Sequence, residues 1–481
     1  MEVYGSIVNI IKNSIEILMK EEIEYLKIFE EAIAYDNKDY KSKILTSNKD
    51  FTSISIFKDE SRGTISKDKK AVNDLLNILK HGPENEKESK LKEFSDLEKR
   101  SIGSMLGMSI GDAMGARLEF DHFIYEDQYE LKKYYNISDL EDMGDGPGGH
   151  FNLFPGQWTD DTSMGLCLAD SLLVKNGTLD NYDLMNRFIA WWRGGYNNAF
   201  RNNNKYGYKT RHSVGLGGNI SLSFRQYMNK PIDETSAGDK NTSGNGSIMR
   251  NAAIPICFYY NIEKACENAK KQSLSTHQGI QAMECCNILT HIVCKVLNGQ
   301  KLKDVLDNLK VDEILVNKYE KQYEDNPSQY ESVKSLILSK LDNSGNDWNW
   351  RTTKIYKYNK ERAKKQPGYI GSYAMDNLAM SLNIVYRTNN FREAIIKAVN
   401  VRGDADSVAS VVGQIAGAAY SLEGIPIDWI ETINKWDDGE IALRGYMLSR
   451  LYTRKSYYFD KEKKGKEKKE EEKKEEKKNQ K

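Results

Sequence analysis

The sequence predicts an all-α protein, because apolar residues recur at helical spacing in several long segments and strand-like alternation is scarce. The leucines after Asp161 suit a buried helix, and the stretches from Ala282 to Leu297 and from Ala374 to Tyr386 have the same pattern. A chain of 481 residues is long enough for roughly two to four domains. These segments assign the principal helical domain to residues 96–456.

The first 95 residues form a separate region at the N-terminus. Apolar residues recur at helical spacing from Ile7 to Phe29, and a polar stretch follows from Tyr35 to Lys70. A short amphipathic helix is predicted from Ala71 to Leu79, with Gly82-Pro83 as its break. We predict a helical extension over 1–95 that docks on the principal domain, with a dedicated binding module as the alternative.

Two rows of small residues predict a close helix pair. The rows are Gly103, Gly107, Gly111 and Gly115 in one segment and Ala409, Gly413 and Gly417 in another. Each glycine destabilises a helix by about 1 kcal/mol relative to alanine. Close approach of two backbones is the compensation that we expect for such a pattern.

Two regions are predicted to be peripheral. The stretch from Lys301 to Lys365 is charged and rich in Tyr and Asn, which indicates an insertion at about 301–365. From Lys461 to Lys481 nearly every residue is Lys or Glu, with no apolar side chain to bury. The sequence therefore predicts a disordered Lys/Glu-rich tail over 457–481, with a frayed single helix as the alternative.

Composition restricts the class of protein. Hydrophobic residues make up 39% and charged residues 29% of the chain, which excludes wholesale disorder. Lys+Arg and Asp+Glu both number 70, so the zero net charge argues against a nucleic-acid-binding or membrane-surface protein. We expect neither a membrane span nor a secretory signal. Six cysteines without a C-x-x-C pair indicate reduced thiols, and we expect a cytoplasmic protein.

Acidic residues stand at the predicted starts of two helices. Thr159-Asp160-Asp161 precedes the leucine-rich helix, and Asp404-Ala405-Asp406-Ser407 precedes the helix with Gly413. Helix capping is one explanation, but capping needs only one such residue per helix. Neighbouring carboxylates repel each other unless a cation neutralises them. Their hard oxygen ligands favour Mg²⁺ or Mn²⁺, and two converging clusters could hold two ions about 3.5–4 Å apart.

Two glycine-rich segments are candidates for holding a phosphate group. Val214 to Asn219 and Ser243 to Arg250 contain glycines that can expose backbone N–H groups. Glycine-rich turns are common, so each segment alone is weak evidence. Neither has the Gly-Lys-Ser/Thr ending of a Walker loop.

Together these motifs resemble the ADP-ribosylglycohydrolase family, which includes the dinitrogenase reductase-activating glycohydrolase and the serine- and arginine-directed ADP-ribosylhydrolases. The resemblance covers roughly Phe94 to Trp436, and its motifs stand in the family's order. The matching blocks are Gly107 to Glu119, Gly156 to Thr162, Gly244 to Arg250, Ser275 to His277 and Gly403 to Ser407. One such block is weak evidence, but five in order are specific.

The resemblance implies an orthogonally packed all-α domain with a binuclear Mg²⁺ or Mn²⁺ centre that binds ADP-ribose or an ADP-ribosylated protein. The metal ligands that it implies are Thr159, Asp160, Asp161, Asp404, Asp406 and Ser407. Proton transfer is implied for Glu119, Asp160 or Asp161, with Asp112 as a supporting acid in the substrate site. The residues implied to hold the pyrophosphate and adenosine ends are Gly215, Gly217, Thr242, Ser243, Gly244, Asn245 and His277.

The implied activity is hydrolysis of the C1″ glycosidic bond of ADP-ribosylated side chains or related conjugates, which releases ADP-ribose. One alternative is a non-catalytic, crystallin-like relative, although all four aspartates of the two clusters persist. A second alternative is a two-metal phosphoester hydrolase, which would cleave the pyrophosphate. His277 also has a simpler explanation, as a polar residue at the start of a helix.

The chain departs from the family pattern at three positions. Ser407 stands where threonine is usual and keeps the hydroxyl group, and Arg402 stands where a glycine often precedes Gly403. Ser213 stands where arginine-directed bacterial members often have aspartate, which mildly disfavours arginine as the modified residue. The linkage, the choice between the two ions and the oligomeric state stay open.

Overall fold

The protein is helical wherever the structure describes it. This computed structural model describes residues 63–120, 140–200, 213–229, 242–315, 324–354, 356 and 369–452. Within those ranges the regular elements are helices, accompanied by isolated bridges and no strand. The predicted all-α class is therefore confirmed. The helix predicted from Ile7 to Phe29 and the tail predicted at 457–481 lie outside the described residues.

The helices fall into three stretches of the chain. The first contains α1 (Gly63–His81), α2 (Glu84–Leu91), α3 (Asp96–Gly115), α4 (Asp160–Val174), α5 (Asn181–Gly194) and α6 (Gly218–Asn229). The second contains α7 (Ala253–Phe258), α8 (Ile262–Leu274), α9 (Ile280–Leu297), α10 (Leu302–Asp307), α11 (Val311–Ile314) and α12 (Pro327–Leu338). The third contains α13 (Ala374–Tyr386), α14 (Phe391–Val399), α15 (Ala405–Tyr420), a 3-10 turn (Leu422–Gly424), α16 (Ile427–Asp437) and α17 (440–452).

Helices α3 and α15 form the close pair that the small residues predict. Three pairs meet main chain to main chain: Gly103 with Gly417, Gly107 with Gly413, and Gly111 with Ala409. A β-carbon on any of these glycines would overlap the opposite backbone. Ser104 Oγ adds a hydrogen bond to the Gln414 carbonyl at 2.9 Å. The fourth glycine of α3, Gly115, faces the backbone of Asp406 and so carries the close contact into the second acidic cluster.

Helix α9 is a core helix. It begins two residues before the predicted start at Ala282, whereas α13 has its predicted bounds. By length and composition α9 is apolar enough to cross a membrane, but 89% of it is buried inside the protein. Helices α8, α13 and α15 all contact it. That burial is expected of an apolar helix at the centre of a folded domain.

Helix α1 lies against the C-terminal part of the chain. It runs from Gly63 to His81, longer than the predicted Ala71–Leu79, and ends before Gly82-Pro83 as predicted. Val72 and Leu75 are fully buried. Lys69, which precedes the apolar face, forms an ion pair with Asp438 at 3.0 Å. The helix therefore extends over polar residues that the apolar pattern did not include.

The predicted insertion at 301–365 contributes buried packing. Trp348 and Trp350 are only 1% and 0% exposed. Asn383 of α13 donates from Nδ2 to the carbonyls of Trp350 and Thr353, at 2.7 and 3.0 Å. The segment is therefore fastened to α13, and its boundaries stay a prediction.

A buried ionic network lies further along α4. Asp170 accepts hydrogen bonds from Arg444 Nε at 2.7 Å and from Asn197 Nδ2 at 2.8 Å. On α5, Asp183 accepts from Arg187 Nε at 2.9 Å. The side chains of both ion pairs are at most 1% exposed. We call Asp170, Asp183, Arg187 and Arg444 the ionic network.

Candidate active site

A cleft of about 380 Å³ lies where α4 and α15 begin. Its wall combines the starts of these helices with both glycine-rich segments and the turn before α13. The predicted site residues in the wall are Glu119, Asp160, Asp161, Gly215, Gly217, Gly244, Asn245, His277, Asp404, Asp406 and Ser407. The fold thus brings together most of the residues that the sequence analysis selected.

Capping does not explain the acidic residues at the two helix starts. Thr159 is the N-cap of α4 and Asp404 is the N-cap of α15, yet neither side chain makes a capping hydrogen bond. Asp160, Asp161 and Asp406 occupy the first turns that follow, and all of them are buried. These side chains are directed to the cleft and to one another instead.

Asp112 supports the start of α4 from α3. Its carboxylate accepts hydrogen bonds from the backbone N–H groups of Thr159 and Thr162, at 2.9 and 2.8 Å. The Thr159 hydroxyl donates to it as well, at 2.8 Å. Asp112 is fully buried and lies behind the residues of the wall. It therefore fixes the backbone that carries Asp160 and Asp161.

Two groups of three buried carboxylates have ligand atoms within 4.8 Å of one another. One group contains Asp112, Asp161 and Asp406, and the other contains Glu119, Asp404 and Asp406. Because Asp406 belongs to both, the two groups lie side by side. Asp112, which the sequence analysis treated as a supporting acid, is thus itself close enough to the others to share a cation.

Neutral donors stand beside these carboxylates. Thr159 Oγ1 lies 3.3 Å from Asp406 Oδ2 and 3.4 Å from Asp161 Oδ2. Asn245 Nδ2 donates to Asp404 Oδ2 at 3.1 Å. Because the single hydroxyl proton of Thr159 is donated to Asp112, of these contacts only that of Asn245 donates a hydrogen bond to a carboxylate, and neither group adds positive charge.

Burial and mutual repulsion raise the pKa values of the carboxylates in this cluster. Burial first, and then Asp406 and Asp404, raises the pKa of Glu119. Burial and neighbouring carboxylates also raise the pKa of Asp161 well above its ordinary value. Glu119 Oε2 and Asp161 Oδ1 are buried without a hydrogen-bond partner among the described residues. Buried oxygen atoms of this kind are suited to a divalent cation, which would satisfy them and neutralise the repulsion.

The first glycine-rich segment packs directly on an acidic residue. Gly215 has φ +86°, a conformation that favours glycine, and a β-carbon there would overlap Asp160 Oδ1. The second segment is fixed by Asn245, whose backbone N–H donates to the Ser372 carbonyl at 2.9 Å. Both segments therefore bring bare backbone to the wall of the cleft.

His277 packs against the second glycine-rich segment. A β-carbon on Gly246 would lie 2.6 Å from Cε1 and 2.9 Å from Nε2 of the imidazole. The residue is 2% exposed, and burial followed by the charge of Arg250 lowers its pKa to about 3. The ring is therefore neutral at physiological pH and presents its Nε2 edge to the cleft.

Some predicted residues lie beside the cleft. Thr242 and Ser243 are in the backbone behind the second segment, where the carbonyl of Thr242 accepts from Gly279 N at 3.3 Å and that of Ser243 from Ala374 N at 2.9 Å. Thr159 likewise stands behind the wall. These three stay predictions as direct ligands of metal or substrate.

An aromatic group in the wall was missed from the sequence. Phe120 lies 5.2 Å from Tyr369 and 6.3 Å from Phe151 between ring centres, and all three line the cleft. Phe120 follows Glu119 directly, which is a usable signal. Tyr369 is brought in by Ile370, whose carbonyl accepts the N–H of Asp404 at 2.8 Å, and no local pattern reveals such a contact.

Comparison with known proteins decides the family. A family model described as ADP-ribosylglycohydrolase matches residues 94–456. The chain belongs to the ADP-ribosylglycohydrolase family. The resemblance expected from the five sequence blocks is therefore confirmed, and the chain is an ADP-ribosylglycohydrolase enzyme.

Relatives of this ADP-ribosylglycohydrolase match it over most of their length. The ADP-ribosylarginine hydrolase Tri1 of Pseudomonas putida is 30% identical and covers 69% of this chain and 74% of its own. The ADP-ribosyl-[dinitrogen reductase] glycohydrolase of Rhodospirillum rubrum is 25% identical, covering 71% of this chain and 92% of its own. A solved structure titled ADP-ribosylglycohydrolase-related protein complex has a TM-score of 0.53 and 25% identity, covering 74% of this chain and all of its own.

Proposed function

We propose that this ADP-ribosylglycohydrolase uses two Mg²⁺ or Mn²⁺ ions to hydrolyse the C1″ glycosidic bond of ADP-ribosylated protein side chains. The observation that carries the proposal is the pair of adjoining carboxylate groups that share Asp406. Both groups combine buried carboxylates from the starts of α4 and α15 with one from the end of α3, which is Asp112, or from the turn after it, which is Glu119. They lie next to a cleft with glycine-rich walls. The products are ADP-ribose and the unmodified side chain.

The donor set fits hard divalent cations. Asp161 and Asp406 with Asp112 would hold one ion, and Glu119 and Asp404 with Asp406 the other, with Asp160, Thr159 and Ser407 as neighbouring oxygen donors. No Cys or His belongs to either group, which favours Mg²⁺ or Mn²⁺ over Zn²⁺. The unpartnered oxygens of Glu119 and Asp161 support this assignment.

Ions held by these carboxylates would supply Lewis acidity for orienting the ribose hydroxyls and for favouring ionisation of the attacking water. The chain's own residues provide proton transfer and positioning. Glu119 lines the cleft, so we assign to proton transfer the carboxylate oxygen that would not bind the ion, with Asp160 and Asp161 as the other carboxylates in the wall of the cleft. Asp112 fixes the start of α4 by accepting hydrogen bonds from the backbone N–H groups of Thr159 and Thr162.

The glycine-rich walls support a substrate with a pyrophosphate. Gly215 and Gly217 stand before α6, and Gly244 and Asn245 stand in the second segment. The three glycines have no side chain, so their backbone can approach an anion closely, and N–H groups near a helix start favour negative charge. We assign these residues and His277 to the pyrophosphate and adenosine ends of ADP-ribose.

We propose arginine-linked ADP-ribose as the first linkage to test. The support is a relative of 30% identity named an ADP-ribosylarginine hydrolase. Ser213 speaks mildly against it, since arginine-directed bacterial members often have aspartate there. We also propose a cytoplasmic location, which the six free cysteines support.

The test is incubation of the full chain with arginine-, serine- and O-acetyl-linked ADP-ribose, with Mg²⁺, with Mn²⁺ and with a chelator, followed by mass analysis of the products. The proposal expects intact ADP-ribose, formed only with metal. Release of AMP would favour a two-metal phosphoester hydrolase instead. Tight binding of ADP-ribose without turnover of any substrate would favour the non-catalytic, crystallin-like alternative.

A further inference from the structure

A row of buried polar side chains ends at the imidazole of His277. Arg250 Nη2 donates to Thr276 Oγ1 at 2.8 Å, and Thr276 Oγ1 lies 2.8 Å from His277 Nδ1. None of the three residues is more than 2% exposed. The opposite edge of the ring, with Nε2, faces Gly244 and Gly246 in the wall of the cleft.

The guanidinium of Arg250 is fixed behind the cleft. Its Nε donates to Gln272 Oε1 and its Nη2 to the Gln272 carbonyl, both at 3.1 Å. Its carbon Cζ lies 4.5 Å from the ring centre of Phe188. Within the described ranges, Arg250 forms no ion pair with a carboxylate, unlike the buried Arg187, Lys270 and Arg444. A positive charge therefore stays directed at the Thr276 hydroxyl.

The backbone at Thr276 is also fixed by hydrogen bonds. Its carbonyl accepts hydrogen bonds from Asn219 Nδ2 at 2.7 Å and from Ser223 Oγ at 3.0 Å. Both donors belong to α6, the helix that follows the Gly215 and Gly217 segment. The position of the imidazole is thus tied to the other glycine-rich wall of the cleft.

These contacts select one tautomer of His277. Arg250 can only donate, so it occupies a lone pair of Thr276 Oγ1. The remaining contact of that oxygen is with His277 Nδ1, and the hydroxyl proton is satisfied only if Nδ1 accepts it. The proton of the neutral ring is then on Nε2. The low pKa of His277, about 3, agrees with a neutral ring beside a cation.

We propose that Arg250 and Thr276 are positioning residues that hold His277 as the Nε2–H tautomer, so that the imidazole donates a hydrogen bond to an oxygen of bound ADP-ribose. This inference rests on the proposed function, because it requires ADP-ribose in the cleft. Neither Arg250 nor Thr276 lines the cleft, so each acts through His277. A neutral donor fixes the ligand's orientation without changing charge across physiological pH.

The tautomer is measurable without any reaction. In full-length protein labelled with ¹⁵N-histidine, two-bond ¹H–¹⁵N spectra distinguish a protonated from an unprotonated ring nitrogen, and H277Q assigns the signals among the six histidines. We expect Nε2 protonated and Nδ1 unprotonated from pH 6 to pH 8. A protonated Nδ1 in the unaltered protein would overturn the proposal before any variant is made.

The matched variants are T276V, which has the shape of threonine without the hydroxyl, and T276S, which keeps it. We expect T276V to show a mixture of tautomers, to weaken ADP-ribose binding and to raise KM by about five- to tenfold, the effect of one hydrogen bond. Because this bond is made equally in the ground and transition states, kcat is expected to change by less than about twofold. T276S is expected to behave like the unaltered protein.

The outcomes separate this inference from the proposed function. If the unaltered protein neither binds nor hydrolyses ADP-ribose conjugates, the proposed function fails while the tautomer measurement still stands. If it is active, but T276V keeps the Nε2–H tautomer and its KM, the positioning role is wrong. Circular dichroism and thermal melting establish that T276V folds, and T276A replaces it if it does not.

Discussion

Helix α4 carries aspartates in two opposite electrostatic situations. At its start, Asp161 is buried among other carboxylates, and burial and repulsion raise its pKa well above the ordinary value. Further along, Asp170 is equally buried, and burial alone would raise its pKa, but Arg444 and its hydrogen-bonding partners lower it overall. The chain supplies the counter-ion to Asp170, whereas the ion pairs of the described residues include none for Asp161, where the proposed cation would bind. The difference separates a part built for stability from a part built for function.

The same comparison predicts opposite effects on folding. A carboxylate whose pKa rises on folding destabilises the folded state at neutral pH, whereas one whose pKa falls stabilises it. We therefore expect a substitution at Asp161 to lower activity and a substitution at Asp170 to lower stability, although both replace a buried aspartate on α4.

The largest effect is expected for D161N. Loss of one carboxylate from the first group should lower metal-dependent release of ADP-ribose by about 10³-fold, because charge stabilisation at the reacting sugar is lost. In the presence of a chelator, the melting temperature should equal or exceed that of the unaltered protein, since one repelling charge is gone. D404N provides a second variant with the same expectation. Full turnover by either variant with excess chelator would refute the metal-centre assignment.

D170N should instead destabilise the protein by about 3 kcal/mol, because it removes the carboxylate that Arg444 contacts at 2.7 Å and leaves the buried guanidinium the longer 3.9 Å contact with Glu440. Urea unfolding monitored by circular dichroism measures this loss. The exposed Asp74 on α1 is the matched control, and D74N should change the free energy of unfolding by less than about 0.5 kcal/mol. A loss no larger for D170N than for D74N would show that the ionic network contributes little.

Acid should reproduce the effect of D170N. Because the folded pKa of Asp170 lies below its ordinary value of 3.8, its contribution is complete above that pH and disappears as the pH falls through the folded pKa. The unaltered protein should therefore lose more stability below about pH 4 than D170N does. The free energy of unfolding is measured for both proteins across this pH range. If it falls equally steeply with pH in both, the stabilising role of ionised Asp170 is wrong.

The smallest effect is expected for a substitution in the α3–α15 helix pair, which positions the carboxylate cluster. In G107A the new methyl group would overlap the Gly413 carbonyl, so we expect a loss of about 1–3 kcal/mol despite the better helix propensity of alanine. Activity should fall as well, because α15 carries Asp406. Gly146 has no neighbour within 4 Å of an added β-carbon, so G146A is the control and should retain both properties.

Much of the fold and of the site was predictable from local patterns. The glycine rows predicted the α3–α15 pair, and the doubled acids marked the two helix starts, whose shared site the family resemblance implied. These signals are readable because spacing along a helix fixes which side chains share a face. The part of α1 before Ala71 was not predictable from the apolar pattern, since its residues are mostly polar and Lys69 pairs with the distant Asp438.

What the sequence concealed depends on contacts between remote segments. Asp112 reads as one acid in a glycine-rich helix, and its proximity to Asp161 and Asp406 appears only when α3, α4 and α15 pack together. Tyr369 enters the cleft through the backbone of Ile370 and Asp404. The proton arrangement of His277 depends on Arg250, whose side chain has no local reason to reach it.

The joint between α3 and α15 also bears on how the protein is made. Ser104 and Gln414, which hydrogen-bond across it, are 310 positions apart. During translation α3 is synthesised first, and its glycine face cannot pack against α15 until α15 has left the ribosome. A nascent chain that stops before residue 405 lacks Asp406, the carboxylate common to both groups. With the proposed metal centre, hydrolysis would therefore begin only once α15 has been synthesised.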